Sequence, residues 1–145
     1  MPGAREVIKE LQNRDILVAI VSSGVDLLIG SIANMLKVDD WAANGFEWDE
    51  EGWLIGSKPT VVQSHDKGIT VEKFARINSI DPENIVSVGD SGPDLSMMIP
   101  GSRFIGFNPA PNRGAEDFVK AGVPIIEGRD LRNIWQPMFG EPFPE

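Results

Sequence analysis

The fold is set by a run of six apolar residues, Ile16-Leu17-Val18-Ala19-Ile20-Val21, which is followed at once by the polar stretch Ser22-Ser23-Gly24. An unbroken apolar run of this length, rich in β-branched residues, is typical of a parallel β-strand that is covered on both faces. Ser and Gly immediately after it indicate the point where the strand gives way to a helix. The run therefore predicts a buried strand that ends at Ser22.

The segments on either side alternate between helical and strand-like patterns. Further strand patterns occupy residues 85–90, 104–107 and 123–126, and residues 45–55 have the polar, Gly-containing centre of a hairpin. Helical spacing of apolar residues separates the strands: Ala4, Val7, Ile8 and Leu11; Leu28, Ile32, Met35 and Leu36; Val71, Phe74 and Ala75; then shorter helices near Pro93–Met98, Arg113–Ala121 and Asp130. Strands that alternate with helices predict an α/β fold, in which a doubly wound, mainly parallel sheet carries flanking helices and a small β-hairpin. We expect one domain, residues 1–145.

The composition excludes several classes of protein. The chain has 22 acidic and 13 basic residues, a net charge of −9, no cysteine and a single histidine, His65. The negative charge argues against binding to nucleic acid or to an anionic membrane surface. Without cysteine there is neither a disulfide nor a thiol nucleophile. No apolar run is long enough to span a membrane, and the start does not resemble a signal peptide, so we expect a cytoplasmic protein.

Ligands of open α/β sheets bind at the carboxyl ends of the strands, so the polar residues found there are the candidates for function. At the first strand, the Ser22 hydroxyl and the N–H groups of Ser23 and Gly24 form an arrangement that suits a phosphate or another anion. The alternative is that Ser22 only caps the helix that follows. Lys67 stands at the start of a helix, where a cation is unfavourable, and this placement suggests a role such as neutralising a phosphate. The alternative, a solvated lysine paired with Asp66, is favoured on this residue alone.

A second strand pattern ends at one carboxylate, Asp90, and another carboxylate, Asp94, follows four residues later. Carboxylate oxygens are the ligands that Mg²⁺ prefers, so these residues are the candidate metal ligands. The alternative for Asp90 is that it caps the short helix near Pro93, and Asp94 could hydrogen-bond the loop instead of the metal.

In order and spacing, these segments resemble the phosphoserine phosphatase-like branch of the haloacid dehalogenase superfamily. Its second motif is similar to the stretch from Val18 to Gly24, its third to Lys67-Gly68, and its fourth to Val88–Leu95. The resemblance implies hydrolysis of the phosphomonoester of a small metabolite through an aspartyl-phosphate, with Mg²⁺ as cofactor. It implies that Ser22 and its neighbours bind phosphoryl oxygens, that Lys67 offsets charge, that Asp90 ligates Mg²⁺ and that Asp94 supports it.

The family's first motif, an apolar strand followed by Asp-x-Asp, has no counterpart in these residues. We therefore expect an incomplete core that lacks the nucleophile strand and the cap and is inactive alone. In the family this strand lies between the strands that here end at Ser22 and Asp90, so its absence predicts an open slot that is a hazard for edge pairing. Either the two strands close on each other, or another segment or chain fills the slot, as a homodimer or a strand-complementing partner, or the chain is a truncated fragment of a longer protein. The alternatives in function are a non-catalytic phosphate-binding or dimerisation module and, less favoured, an unrelated Rossmann-like binding domain.

Overall fold

A computed structural model describes residues 2–25, 38–44, 46–48, 54–57, 67–109 and 114–144, and for residues 22–25, 40–44, 46–48 and 54–57 it describes the backbone alone. The helices are α1 (Ala4–Asn13), α2 (Gly68–Ile77), α3 (Ala115–Ala121) and α4 (Trp135–Phe139). The strands are β1 (Ala19–Val25), β2 (Asp40–Asn44), β3 (Phe46–Trp48), β4 (Leu54–Ser57), β5 (Val86–Gly89), β6 (Arg103–Phe107) and β7 (Ile125–Ile126). Short 3-10 helices span Pro82–Asn84, Gly92–Met97 and Leu131–Ile134. The predicted helix over residues 28–36, the turn of the hairpin and His65 lie outside the described residues.

The predicted α/β architecture is confirmed, with a parallel sheet and helices on both of its faces. In the described part of the chain, β5, β6 and β7 form one parallel sheet, β1 and β2 form a second parallel pair, and β3 and β4 form the antiparallel hairpin. Sequence analysis did not predict β2, a five-residue strand that is paired with β1.

Strand β6 shows why the core has two layers of helices. Its side chains alternate between the two faces of the sheet, as the period of a strand requires. On one face Phe104 packs with Phe118 of α3, their ring centroids 5.3 Å apart. On the other face Ile105 and Phe107 pack with apolar residues of α1 and α4. Phe118 and Trp135, which are fully buried, cover the two faces.

Two predictions about β1 are wrong in detail. The strand begins at Ala19 and not at Ile16, because the Ile16 N–H closes the end of α1 by donating to the carbonyl of Leu11 at 2.9 Å. It also continues through Ser22 to Val25, since pairing with β2 resumes at Val25 beyond an irregularity in the register. The predicted turn at Ser22 is therefore an irregular stretch inside a strand.

The apolar run is less buried than predicted. Ala19 and Leu17 are exposed, Leu17 to 49%, and the other four residues of the run are half-buried. The cause is a wide cleft of about 1540 Å³ between β1 and β5, lined by residues of both strands. Among the residues that the structure describes, β1 pairs as a strand only with β2, and β5 only with β6. The cleft thus separates the two parallel sheets.

Candidate functional site

The candidate site is built around the carboxyl end of β5. The chain leaves this strand at Gly89, passes through Asp90 and Ser91, and enters the 3-10 helix Gly92–Met97. The residue at the N-terminal cap of this helix is Ser91, so the alternative in which Asp90 is the cap is wrong. Gly89 has no side chain because the Asp94 side chain occupies its place: a Cβ on residue 89 would lie 2.5 Å from the Cβ of Asp94. This close approach folds the loop back onto the strand.

Asp94 is the anchor of the loop. One carboxylate oxygen, Oδ2, accepts hydrogen bonds from the backbone N–H groups of Asp90 at 3.1 Å and Ser91 at 3.2 Å, and from the Ser91 hydroxyl at 3.1 Å. The other, Oδ1, accepts from the Lys67 ammonium at 2.6 Å. Each carboxylate oxygen has about two acceptor sites, so Oδ2 is fully occupied and Oδ1 keeps one site beside the Lys67 ammonium. Asp94 therefore orients the loop and the lysine.

Lys67 is held at the start of α2. Its backbone N–H donates to the Ser96 hydroxyl at 2.8 Å, and the absence of a side chain on Gly68 allows the helix to approach the Ser96 carbonyl closely. The Lys67 side chain is 12% exposed and that of Asp94 is 10% exposed. The alternative of a solvated lysine is therefore wrong. Asp66, its partner in that alternative, lies outside the described residues. One ammonium donor binds Asp94, and two more can face a ligand.

The electrostatics of the pair favour two charged groups. Burial raises the pKa of Asp94, but the hydrogen bond and the positive charge of Lys67, aided by the bonds from Ser91 and Asp90, lower the pKa below its ordinary value. A carboxylate that stays charged keeps the ammonium fixed in position. The arrangement thus places one positioned cation at the edge of the cleft.

Asp90 differs from Asp94 in its surroundings. Residue 90 is exposed, and within the described ranges its carboxylate makes neither an ion pair nor a hydrogen bond. None of the described residues occupies its oxygens, which can bind a hard cation. Mg²⁺ keeps several water ligands and is often held by one or two carboxylates together with substrate phosphates, so a single free carboxylate at this place fits the ion. The described part of the chain contains no group of three or more acidic or histidine side chains close enough together to bind a metal ion.

Ser22, Ser23 and Gly24 lie in the backbone of β1. Regular pairing with β2 covers residues 19–21 and resumes only at Val25, which is paired with Asn44. The register is therefore irregular over these three residues, where regular pairing with β2 is interrupted. This backbone is compatible with the predicted anion site.

The cleft brings the predicted segments together. Lys67, Asp90 and Asp94 line it, as does Val21, the neighbour of Ser22 in the chain. Sequence analysis missed Ser91 and Ser96, which hold Asp94 and the helix start through their hydroxyls. It also missed Asn108, which follows β6 with a φ of 45° and lines the same cleft. The sequence feature that could have identified Asn108 is its position at the carboxyl end of a strand, directly before a proline.

Comparisons with known proteins agree with this geometry. The family model for haloacid dehalogenase-like hydrolases matches residues 1–98. A phosphoserine phosphatase from Methanocaldococcus jannaschii is 38% identical over 134 residues, which are 91% of this chain and 60% of that protein. A phosphoserine phosphatase from Wolinella succinogenes is 31% identical over 135 residues, 92% of this chain and 63% of its own.

Solved structures show the same relationship. A substrate-bound phosphoserine phosphatase complex superposes with a TM-score of 0.79 and 34% identity, over 94% of this chain and 62% of that one. A phospho-aspartyl intermediate analogue of phosphoserine phosphatase gives 0.79 and 35%, over 94% and 63%. The chain therefore spans less than two thirds of the length of these relatives. Among the described residues, none of the helices is both long and apolar enough to cross a membrane.

Proposed function

Because the chain belongs to the haloacid dehalogenase-like hydrolase family, we propose that it is the core of a phosphomonoester hydrolase of the phosphoserine phosphatase type. Its substrate would be a small phosphorylated metabolite. The observation that carries the proposal is the 2.6 Å contact between Lys67 and Asp94. It joins the start of α2 to the loop after β5, so that a fixed cation and the Asp90 carboxylate line the same cleft.

Each group has a role that phosphoryl transfer requires. Ser22, with the N–H groups of Ser23 and Gly24, would bind phosphoryl oxygens, and Lys67 would neutralise charge on the phosphate. Asp90 would hold Mg²⁺, and Asp94 would support that site by fixing the loop and the lysine. When bound, Mg²⁺ neutralises charge that develops on the phosphoryl oxygens. Positioning and neutralisation of this kind supply most of the catalysis of phosphoryl transfer.

The family mechanism passes through an aspartyl-phosphate, and its nucleophile is the missing element. The 145 residues contain no Asp-x-Asp after an apolar strand. We therefore expect residues 1–145 to form an incomplete core domain that binds the phosphate and the metal but does not turn over substrate alone. We also infer a cytoplasmic protein that acts on a metabolite and not on nucleic acid, which the net charge of −9 supports.

Two measurements on the purified chain test this function. The first is release of phosphate from phosphoserine in the presence of MgCl₂, for which we expect no turnover above that of Asp90→Ala. The second is protection against thermal unfolding by inorganic phosphate with MgCl₂, which we expect Lys67→Ala to weaken. Lys73→Ala, an exposed lysine of the same helix, is the matched control and should retain protection. Metal-dependent turnover that Asp90→Ala abolishes would show that the chain holds its own nucleophile.

A second candidate is a non-catalytic phosphate-binding or dimerisation module on the same fold. The open cleft and the missing Asp-x-Asp favour it. The two candidates separate when a strand that ends in Asp-x-Asp is restored at the start of the chain together with a cap. The hydrolase predicts that turnover of phosphoserine appears. A binding module predicts that phosphate binding and oligomeric state stay as they were and that turnover remains absent.

A further inference from the structure

Ser96 joins the 3-10 helix that follows β5 to the start of α2 through its hydroxyl. The hydroxyl accepts a hydrogen bond from the backbone N–H of Lys67 at 2.8 Å and donates one to the carbonyl of Pro93 at 2.9 Å. Ser96 and Lys67 are 29 residues apart in the chain. The bond between them is therefore a tertiary contact, and it fixes the backbone of a residue that lines the cleft.

A second serine separates the local role of such a hydroxyl from the tertiary one. Ser102 donates to the carbonyl of Ile99 at 2.8 Å, three residues earlier, just as Ser96 donates to that of Pro93. Serine hydroxyls commonly bond to nearby backbone groups in this way. Within the described ranges the Ser102 hydroxyl accepts no hydrogen bond, and Ser102 does not line the cleft. What distinguishes Ser96 is the hydrogen bond from Lys67.

Two contacts from one 3-10 helix fix Lys67. From Gly92–Met97, Ser96 holds its backbone N–H and Asp94 holds its ammonium at 2.6 Å. Gly68 allows the two elements to approach, because a Cβ at this residue would overlap the carbonyl oxygen of Ser96. A cation at a helix start is opposed by the helix dipole. The two contacts oppose this effect, and together they restrict the direction of the lysine side chain.

We propose that Ser96 is a positioning residue for phosphate binding. By accepting the Lys67 N–H, its hydroxyl fixes the first turn of α2 and thereby the direction of the ammonium donors that Asp94 does not occupy. Ser96 itself does not contact the ligand and acts through Lys67. The inference rests on the proposed function in one respect, the binding of phosphate by Lys67. It goes beyond that function in making the affinity for phosphate depend on a hydroxyl outside the binding groups.

Three variants separate positioning from local structure. Ser96→Ala removes the acceptor of the Lys67 N–H, whereas Ser96→Thr keeps a hydroxyl that can both accept and donate. Ser102→Ala is the matched control, because it removes a hydroxyl that has the same local bond but not the tertiary one. Circular dichroism establishes that all three variants are folded.

The first measurement needs no ligand. In protein labelled with ¹⁵N-lysine, the backbone amide resonance of Lys67 is identified as the one that is lost in Lys67→Arg, and its hydrogen exchange is followed without phosphate. Loss of one hydrogen bond should accelerate the exchange of this amide in Ser96→Ala about tenfold. Ser96→Thr and Ser102→Ala should stay within about twofold of the wild type, because both keep the acceptor of the Lys67 N–H.

The second measurement is the affinity for inorganic phosphate, taken from the shift of the same resonance during a titration at constant MgCl₂. Ser96→Ala should bind phosphate about five- to tenfold more weakly, and the other two variants should bind it like the wild type. Unchanged exchange or unchanged affinity in Ser96→Ala, or an equal loss of affinity in Ser102→Ala, would overturn the inference and leave the proposed hydrolase standing. A wild type that binds no phosphate would instead overturn the phosphate site of the proposed function, and the role of Ser96 with it.

Discussion

Two ion pairs of this chain have the same length and different surroundings. Lys67 Nζ lies 2.6 Å from Asp94 at the cleft, and an Arg132 guanidinium nitrogen lies 2.6 Å from Asp130 before the 3-10 helix Leu131–Ile134. The side chains of the first pair are 12% and 10% exposed, whereas those of the second are 48% and 33% exposed. In both pairs the cation holds the pKa of the aspartate below its ordinary value. Distance and the direction of the pKa shift therefore do not separate them.

Burial separates the two pairs physically. Water screens the exposed pair, and either partner can be solvated if the other is removed. At the cleft, removal of one partner leaves a charge that water reaches poorly, and the cost of that charge is much larger than the net value of the intact pair. Asp94 also holds two backbone N–H groups of the loop after β5. The Lys67–Asp94 pair thus stabilises the conformation of the candidate site, whereas the Arg132–Asp130 pair stabilises only a short turn.

The largest effect is expected from Lys67→Met, which keeps the length of the side chain and removes its charge. The Asp94 carboxylate would stay buried without its cation, so the free energy of unfolding should fall by about 3 kcal/mol, the lower part of the range for a broken buried pair, because this pair borders an open cleft. Urea unfolding followed by tryptophan fluorescence measures the change. A double variant with Asp94→Leu should lose less than the sum of the two single variants, and a full additive loss would show that the two residues are not coupled.

The next effect tests the close approach that puts Asp94 in place. Gly89→Ala introduces a Cβ 2.5 Å from the Asp94 Cβ, so the loop must shift, and overpacking of this kind costs about 1 to 3 kcal/mol. Urea unfolding again gives the value. Adding Asp94→Gly removes the Asp94 atoms that the new methyl group meets, the Cβ included, so the double variant should be more stable than the sum of the single changes predicts. Strict additivity would place the cause of the loss elsewhere.

The third prediction concerns how the stabilisation by the buried pair depends on pH. The pKa of Asp94 is lowered in the folded state, so its stabilisation is complete above the unfolded value of about 3.9 and is lost as the pH falls below it. The stability difference between the wild type and Lys67→Met should therefore shrink once the pH falls below about 4. Urea midpoints measured at several pH values provide the test. A difference that stays constant or grows in acid would contradict this assignment.

The sequence predicted the parts of the site that depend on local chemistry. A lysine at a helix start opposes the helix dipole, and the structure places Lys67 in a buried pair with Asp94. A carboxylate at the end of a strand also stands out, as Asp90 does. The contacts that join these segments could not be predicted, because Lys67 and Asp94 are 27 residues apart and only the fold brings them together.

The error about β1 has a physical cause of the same kind. An apolar run predicts burial only if the neighbours that cover it are present. Here residues 16–21 border the cleft and stay partly exposed. Strand β2 was missed because its five residues, Asp-Trp-Ala-Ala-Asn, lack the alternation of apolar and polar residues that marks a strand. Its pairing with β1 outweighs its weak local preference.

The smallest effect, and the one that completes the comparison, is expected from Arg132→Gln. The variant keeps a polar side chain and leaves the backbone N–H of residue 132 bonded to Asp130 at 3.0 Å, so only the exposed guanidinium charge and its exposed hydrogen bonds to Asp130 are lost. The urea midpoint should be indistinguishable from that of the wild type, and adding NaCl should abolish any residual difference because salt screens exposed charges. Under the same salt the loss in Lys67→Met should persist, since ions do not enter a pair with about a tenth of its surface exposed. A loss in Arg132→Gln as large as that in Lys67→Met would show that burial is not what distinguishes two pairs of equal length.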